Sequence, residues 1–104
     1  MAEAVEGNGA QPRLILQRGD EQPTTFPLVL RETLIGRIDS NHLMLDHPTV
    51  SRVHARIIVV NDWVEIEDCG SSLGTLVNGH IVDRARLRDG DVISLGHVSI
   101  TYAE

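Results

Sequence analysis

Hydrophobic residues recur along this chain with a period of two. Leu14 and Leu16, Leu28 and Leu30, and Leu43 and Leu45 are each separated by a single position, so each pair points to one side of an extended backbone. Val64 and Ile66 alternate with Glu65 and Glu67, and Val98, Ile100 and Tyr102 alternate near the end. The run Ile57 to Val60 is continuously apolar and reads as a strand covered on both faces. Turn chemistry separates the runs at Gly19-Asp20, Asn61-Asp62, Asn78-Gly79, Asp89-Gly90 and Gly96-His97, and Asn-Gly favours a tight hairpin. No longer stretch carries a capped helical stripe. The pattern predicts an all-β domain of many short strands, an antiparallel sandwich or barrel. Residues 1–12 lack the alternation and are rich in Gly, Ala and Glu, so a disordered tail is expected there, followed by one domain over residues 13–104.

Composition narrows the function classes. The 104 residues suffice for one core, and with 41% hydrophobic but only 3% aromatic residues that core must be built from Val, Ile and Leu. No apolar run approaches the roughly 20 residues of a membrane helix, and no secretory leader is visible, so no membrane insertion is expected. A single cysteine, Cys69, cannot form an internal disulfide and fits a reducing, cytoplasmic setting. The formal charge of -6 argues against a nucleic-acid partner. All nine basic residues are arginine, whose planar fork suits phosphate and carboxylate groups.

Polar residues interrupt the strand pattern in three places. These are Gly36-Arg37, then Ser51-Arg52-Val53-His54-Ala55, then the stretch Asp68 to Thr75 with Val77-Asn78-Gly79 after it. Each adjoins a strand and so belongs to a loop. Together they offer two arginines, several hydroxyls, and glycines that let backbone N–H groups approach a ligand. That set suits a tetrahedral dianion, with arginine giving a forked charge-assisted contact and serine a directional donor.

In order and spacing these blocks resemble the forkhead-associated (FHA) family: Gly36-Arg37, Ser-Arg-x-His-Ala at Ser51 to Ala55, Gly-Ser-x-x-Gly-Thr at Gly70 to Thr75, and Val77-Asn78-Gly79, with Leu87-Arg88-Asp89-Gly90-Asp91 following. The resemblance covers about residues 13 to 103. It implies a two-sheet antiparallel sandwich of about eleven short strands, FHA/SMAD-like, that grips a phosphothreonine peptide with loops at one end. The implied phosphate contacts are Arg37 and Ser51. Arg52 is implied as a further phosphate or peptide contact, and Ser72 as a donor to the phosphate or nearby peptide. His54, Gly36, Gly74 and Asn78 are implied to hold the loops in shape. The family's preference for threonine comes from an apolar niche for the γ-methyl. One position departs from the pattern. Leu73 stands where the family usually has an asparagine whose amide hydrogen-bonds the peptide backbone. A phosphate-independent scaffold is therefore the alternative reading. The position two before Ser51, which reads a downstream peptide residue in some members, is the uncharged Thr49.

Taken singly, these residues have plainer readings. Arg37 alone is a solvated surface cation and Ser51 a turn serine; the ordered set is what points to a ligand. His54 reads as a satisfied core histidine, Cys69 as a small buried apolar residue, and Met44 and Trp63 as packing residues. Arg84, Arg86 and Arg88 read as a solvated face interleaved with Asp83 and Asp89. No nucleophile elbow accompanies Ser51 and His54, and the Gly70 to Thr75 stretch lacks the lysine of a nucleotide loop. The five histidines lack paired-ligand spacing. The expectation is a monomeric, non-enzymatic phosphothreonine reader without metal or cofactor. The tail has no Ser, Thr or Tyr, so it supplies no phosphorylated segment for its own domain.

Overall fold

A computed structural model describes residues 11–104, so the tail expected over residues 1–12 lies almost wholly outside the described residues. Eleven strands follow one another: β1 Arg13–Leu16, β2 Thr24–Pro27, β3 Glu32–Gly36, β4 Leu43–Met44, β5 Ala55–Val60, β6 Trp63–Asp68, β7 Thr75–Val77, β8 His80–Val82, β9 Arg84–Leu87, β10 Val92–Leu95 and β11 Val98–Ala103. They form two sheets, ordered β2-β1-β11-β10-β7-β8 and β4-β3-β5-β6-β9. The pairs are antiparallel apart from the short parallel β3–β4 contact. This is an all-β sandwich, one of the two architectures that the alternating pattern allows and the one that the family resemblance implies. Among the described residues, no helix is long and apolar enough to cross a membrane.

Register explains which side chains meet. Leu14 lies opposite Tyr102 and Leu16 opposite Ile100, so alternate residues of β1 and β11 enter the space between the sheets. From the other sheet Ile35, Ile57, Ile66 and Leu87 fill the same space, and all are buried. Each such side chain contributes roughly 1.5–3 kcal/mol by leaving water. The Asn78-Gly79 turn has positive φ at both residues (52° and 83°) and joins β7 to β8 with Val77 opposite His80, as the dipeptide predicts.

Several sequence expectations need correction. Ile57 to Val60 is not covered on both faces. In a two-layer sandwich only one face of each sheet is buried. Ile57 faces the core, whereas Ile58 lies on the outer face between Glu32 and Glu65 and is only half-buried. Leu28 is buried but Leu30 is exposed, because β2 ends at Pro27 and the chain bends at Leu30 and Arg31. Met44 and Trp63 are exposed outer-face residues and not core packing. Trp63 instead carries the Arg86 guanidinium 5.0 Å from its ring centroid and donates its indole N–H to Glu65 at 2.6 Å. Cys69 is only partly buried, and that burial pushes its thiol above the ordinary value.

Candidate functional site

Three loops meet at one end of the sandwich: residues 37–42 between β3 and β4, residues 45–54 between β4 and β5, and residues 69–74 between β6 and β7. Ser51 ties them together through its backbone and side chain. Its carbonyl accepts the Arg37 amide at 3.0 Å, its amide donates to His54 Nδ1 at 3.1 Å, and its Oγ accepts the Ser72 amide at 3.0 Å. The Ser51 hydroxyl hydrogen is therefore still available to a ligand.

His54 is wholly buried beneath these loops. Because Nδ1 accepts the Ser51 amide, the ring proton sits on Nε2, which donates to the Gly74 carbonyl at 2.9 Å. The backbone of His54 adds bonds to the Ile35 carbonyl and the Cys69 amide, each 2.9 Å. Both ring nitrogens are thus consumed by backbone, and neither serves as a base for the Ser51 hydroxyl. The ring is a buried histidine with both nitrogens satisfied.

Close packing places the arginines. A Cβ added to Gly36 would lie 2.2 Å from the Arg52 carbonyl oxygen, so only glycine lets β3 pass this close to the 45–54 loop. The neighbouring Arg37 anchors its Nε on the Val50 carbonyl at 3.0 Å, which fixes the side chain while leaving its terminal nitrogens for another partner. Arg52 is exposed. Among the described residues, the ion pairs involve Arg56 and Arg84, and neither Arg37 nor Arg52 has a carboxylate partner. An open cleft of about 510 Å³ lies between Arg37, Ile38, Ser51, Arg52, Val53, Gly70 and Ser72. Its lining contains two cations, two hydroxyls and no acid. A cleft of this kind attracts an anion with several acceptor oxygens.

The remaining expected residues divide. Ser72 is exposed at the cleft, and Leu73 is exposed beside it, where a second cleft of about 270 Å³ opens between Pro48, Thr49 and Leu73. Gly74 has φ +89°, a left-handed conformation that suits glycine, and the Ile81 side chain closes over it. Asn78 stands away from the cleft, at the opposite end of β7 from Thr75. There its side chain bonds Asp91 Oδ1 and the Val92 amide, each 2.9 Å, and staples the hairpin to the β9–β10 turn. Thr49 uses its Oγ1 internally, accepting the His97 amide at 2.9 Å and pairing with His47 Nδ1 at 2.8 Å.

Two supporting residues had no assigned role in the sequence. Asp68 organises the 69–74 loop: Oδ2 accepts the Gly70 and Ser71 amides at 3.0 and 3.1 Å, and Oδ1 accepts the Ser71 and Thr75 hydroxyls at 2.5 and 2.7 Å. Burial opposes its charge, but these four donors outweigh that and hold the carboxyl below its ordinary value. Its place before Gly-Ser was the available signal, since Asp commonly bonds the backbone of a following turn. Asn41 is buried and donates through Nδ2 to the Ile38 and Arg52 carbonyls, both at 2.8 Å. Nothing in the local sequence marks it.

Comparison with known proteins agrees with this geometry. The FHA domain family model matches residues 33–96. The chain is 39% identical over 70 residues to the ABC transporter ATP-binding/permease protein Rv1747 of Mycobacterium tuberculosis, a match covering 67% of this chain and 8% of that protein. It is 35% identical over 89 residues to the glycogen accumulation regulator GarA of the same organism, covering 86% of this chain and 55% of GarA. The chain thus spans about half the length of GarA and a small part of Rv1747. A chain solved in a structural and functional study of phosphothreonine-dependent FHA domain interactions superposes with a TM-score of 0.83 at 33% identity, covering 91% of this chain and 97% of that one.

Proposed function

Because this chain belongs to the FHA-domain family, we propose that it is a phosphothreonine-dependent interaction module, which binds a phosphorylated partner protein in Ser/Thr kinase signalling. The observation that carries this reading is the acid-free cleft, where Arg37, Ser51, Arg52 and Ser72 converge. Phosphothreonine brings close to two negative charges and three acceptor oxygens. Arg37 contributes its free terminal nitrogens, Ser51 its hydroxyl hydrogen and Arg52 a second cation, with Ser72 as a further donor. Ile38 and Val53 at the same cleft offer an apolar contact to the γ-methyl, which favours threonine over serine.

The module spans residues 13–104 and acts as a monomeric regulatory binder without catalysis, metal or cofactor. The engaged ring of His54 supports the non-catalytic reading, since it leaves Ser51 without a base. The single unpaired Cys69 accords with a cytoplasmic setting. Titration with degenerate peptide pools carrying phosphothreonine, phosphoserine or unphosphorylated threonine tests the function. Binding to the phosphothreonine pool above the other two is expected. Equal binding to all three would replace this reading with that of a phosphate-independent scaffold.

A further inference from the structure

Thr49 borders the smaller of the two clefts, two positions before Ser51, and is half-buried. Its hydrogen-bond donors are nonetheless spent inside the protein. His47 Nδ1 accepts the Thr49 amide at 3.2 Å and pairs with Thr49 Oγ1 at 2.8 Å. An Nδ1 that accepts from an amide carries no proton, so the Thr49 hydroxyl is the donor of the second bond and the His47 ring proton sits on Nε2. The Thr49 oxygen in turn accepts the His97 amide at 2.9 Å. Thr49 therefore keeps no hydrogen to donate to a peptide.

These contacts fasten the 45–54 loop to a fourth segment, the β10–β11 turn at Gly96-His97, which lines neither cleft. Gly96 permits the approach: a Cβ there would lie 2.3 Å from the Thr49 carbonyl oxygen and 2.7 Å from its Oγ1. The His97 ring is tilted against the His47 ring, with centroids 6.4 Å apart. The residues that follow Thr49 in the chain are the ones that hold Arg37. The Val50 carbonyl accepts Arg37 Nε and the Ser51 carbonyl accepts the Arg37 amide, each at 3.0 Å.

We propose that Thr49, clamped by His47 and the Gly96-His97 turn, is a positioning residue: it fixes the Val50-Ser51 segment so that Arg37 meets the phosphate in a preset orientation, and it does not select the peptide sequence. The proposal rests on the phosphothreonine reading above and adds a segment that acts on the phosphate without touching it. An arginine already fixed has less freedom to lose on binding, so loosening the clamp weakens every phosphothreonine peptide alike.

His47 lines neither cleft, so His47→Ala acts on the phosphate through Thr49. Isothermal titration of the wild type, His47→Ala, Thr49→Val and Thr49→Ser against several phosphothreonine peptides of different flanking sequence measures affinity. Water exchange of the Arg37 Nε–H, followed by NMR without peptide and assigned by its loss in Arg37→Ala, reports the bond to Val50. His47→Ala and Thr49→Val should each weaken all the peptides about fivefold, the factor that ~1 kcal/mol represents, and should speed the exchange. Thr49→Ser keeps the hydroxyl and should match the wild type in both measurements. Thermal unfolding establishes that each variant is folded, and either His47→Ala or Thr49→Val suffices should the other fail to fold.

A change in which peptide is preferred, with the Arg37 exchange unaltered, makes Thr49 a reader of sequence and overturns the proposal. Unchanged affinity in the folded variants also overturns it and leaves the phosphothreonine reading standing. A uniform loss with no change at Arg37 does the same, because it marks ordinary destabilisation of the loop. Absence of phosphate-dependent binding by the wild type overturns both readings.

Discussion

Replacing Arg37 with alanine removes the cation that the cleft holds most firmly. In the free protein the loss is local: the Nε bond to the Val50 carbonyl disappears, and a hydrogen bond of this kind contributes roughly 0.5–1.5 kcal/mol net. The side chain is only half-buried, so no cavity opens in the core. The loss in the complex is larger. A guanidinium facing a phosphate makes one or two charge-assisted bonds, each worth about 1.5–3 kcal/mol net. The cleft is open to solvent, which holds the total toward the lower part of that range. A loss of about 2–3 kcal/mol follows, or roughly 30- to 150-fold in Kd. Arg37→Lys keeps the charge but loses the fork and the Nε anchor, so it should fall between the wild type and Arg37→Ala. Isothermal titration with one phosphothreonine peptide measures all three, and thermal unfolding confirms that each chain is folded. The affinity should also fall as salt is raised, and less steeply for Arg37→Ala. If folded Arg37→Ala binds the peptide within twofold of the wild type, the placement of the phosphate at this arginine is wrong.

Other expected outcomes follow from the loops beneath the cleft. Gly36→Ala forces a Cβ to within 2.2 Å of a backbone oxygen, which cannot step aside as a flexible side chain could; a loss of about 3 kcal/mol should appear in urea unfolding, and an unchanged midpoint would refute the close approach. The Asp68 carboxyl is held below its ordinary value of 3.8, so its stabilisation is present above that pH and is lost as pH falls through the lower folded value. Asp68→Asn should therefore flatten the acid limb of the stability curve below about pH 4, and parallel curves for the two chains would contradict the assignment. Trp63→Ala removes an exposed ring, one cation–π contact and the solvent-facing indole bond to Glu65, so it should cost about 1–2 kcal/mol in the same unfolding assay, less than the roughly 3–5 kcal/mol typical of a core tryptophan.

Different parts of this structure were legible to different degrees, and the reasons are physical. Period-two alternation reports a half-buried strand directly, so β1, β6 and β11 could be read from Leu14, Val64, Ile66 and Ile100. A purely apolar run carries no such phase. Ile57 to Val60 therefore suggested two covered faces, whereas Ile58 lies on the outer face between Glu32 and Glu65, where Arg56 bonds Glu32 and Glu67. Trp63 was misread for a related reason, because hydrophobicity alone does not say which face of a strand a side chain occupies. The polar residues Arg37, Ser51 and His54 stood out because they interrupt the strand pattern. Asn41 did not stand out, since its role depends on two carbonyls, one of them eleven residues away. Asn78 was recognisable as a turn residue but not by its distance from the cleft, which depends on which end of β7 it occupies.

The design of this end of the sandwich separates stiffness from ligand chemistry. His54, Asn41 and Asp68 direct their hydrogen bonds into the loops: His54 to Ser51 and Gly74, Asn41 to Ile38 and Arg52, Asp68 to Gly70, Ser71 and Thr75. These bonds form during folding and owe nothing to a ligand. They hold the loops in place, so an incoming phosphate does not have to order them. Ser51 stands at the junction of the two sets. Its Oγ accepts the Ser72 amide, which orients the hydroxyl so that its hydrogen remains the free valence. Arg37 and Ser51, the phosphate contacts we propose, are thus braced by backbone groups, Arg37 by the Val50 carbonyl and Ser51 by the Ser72 amide.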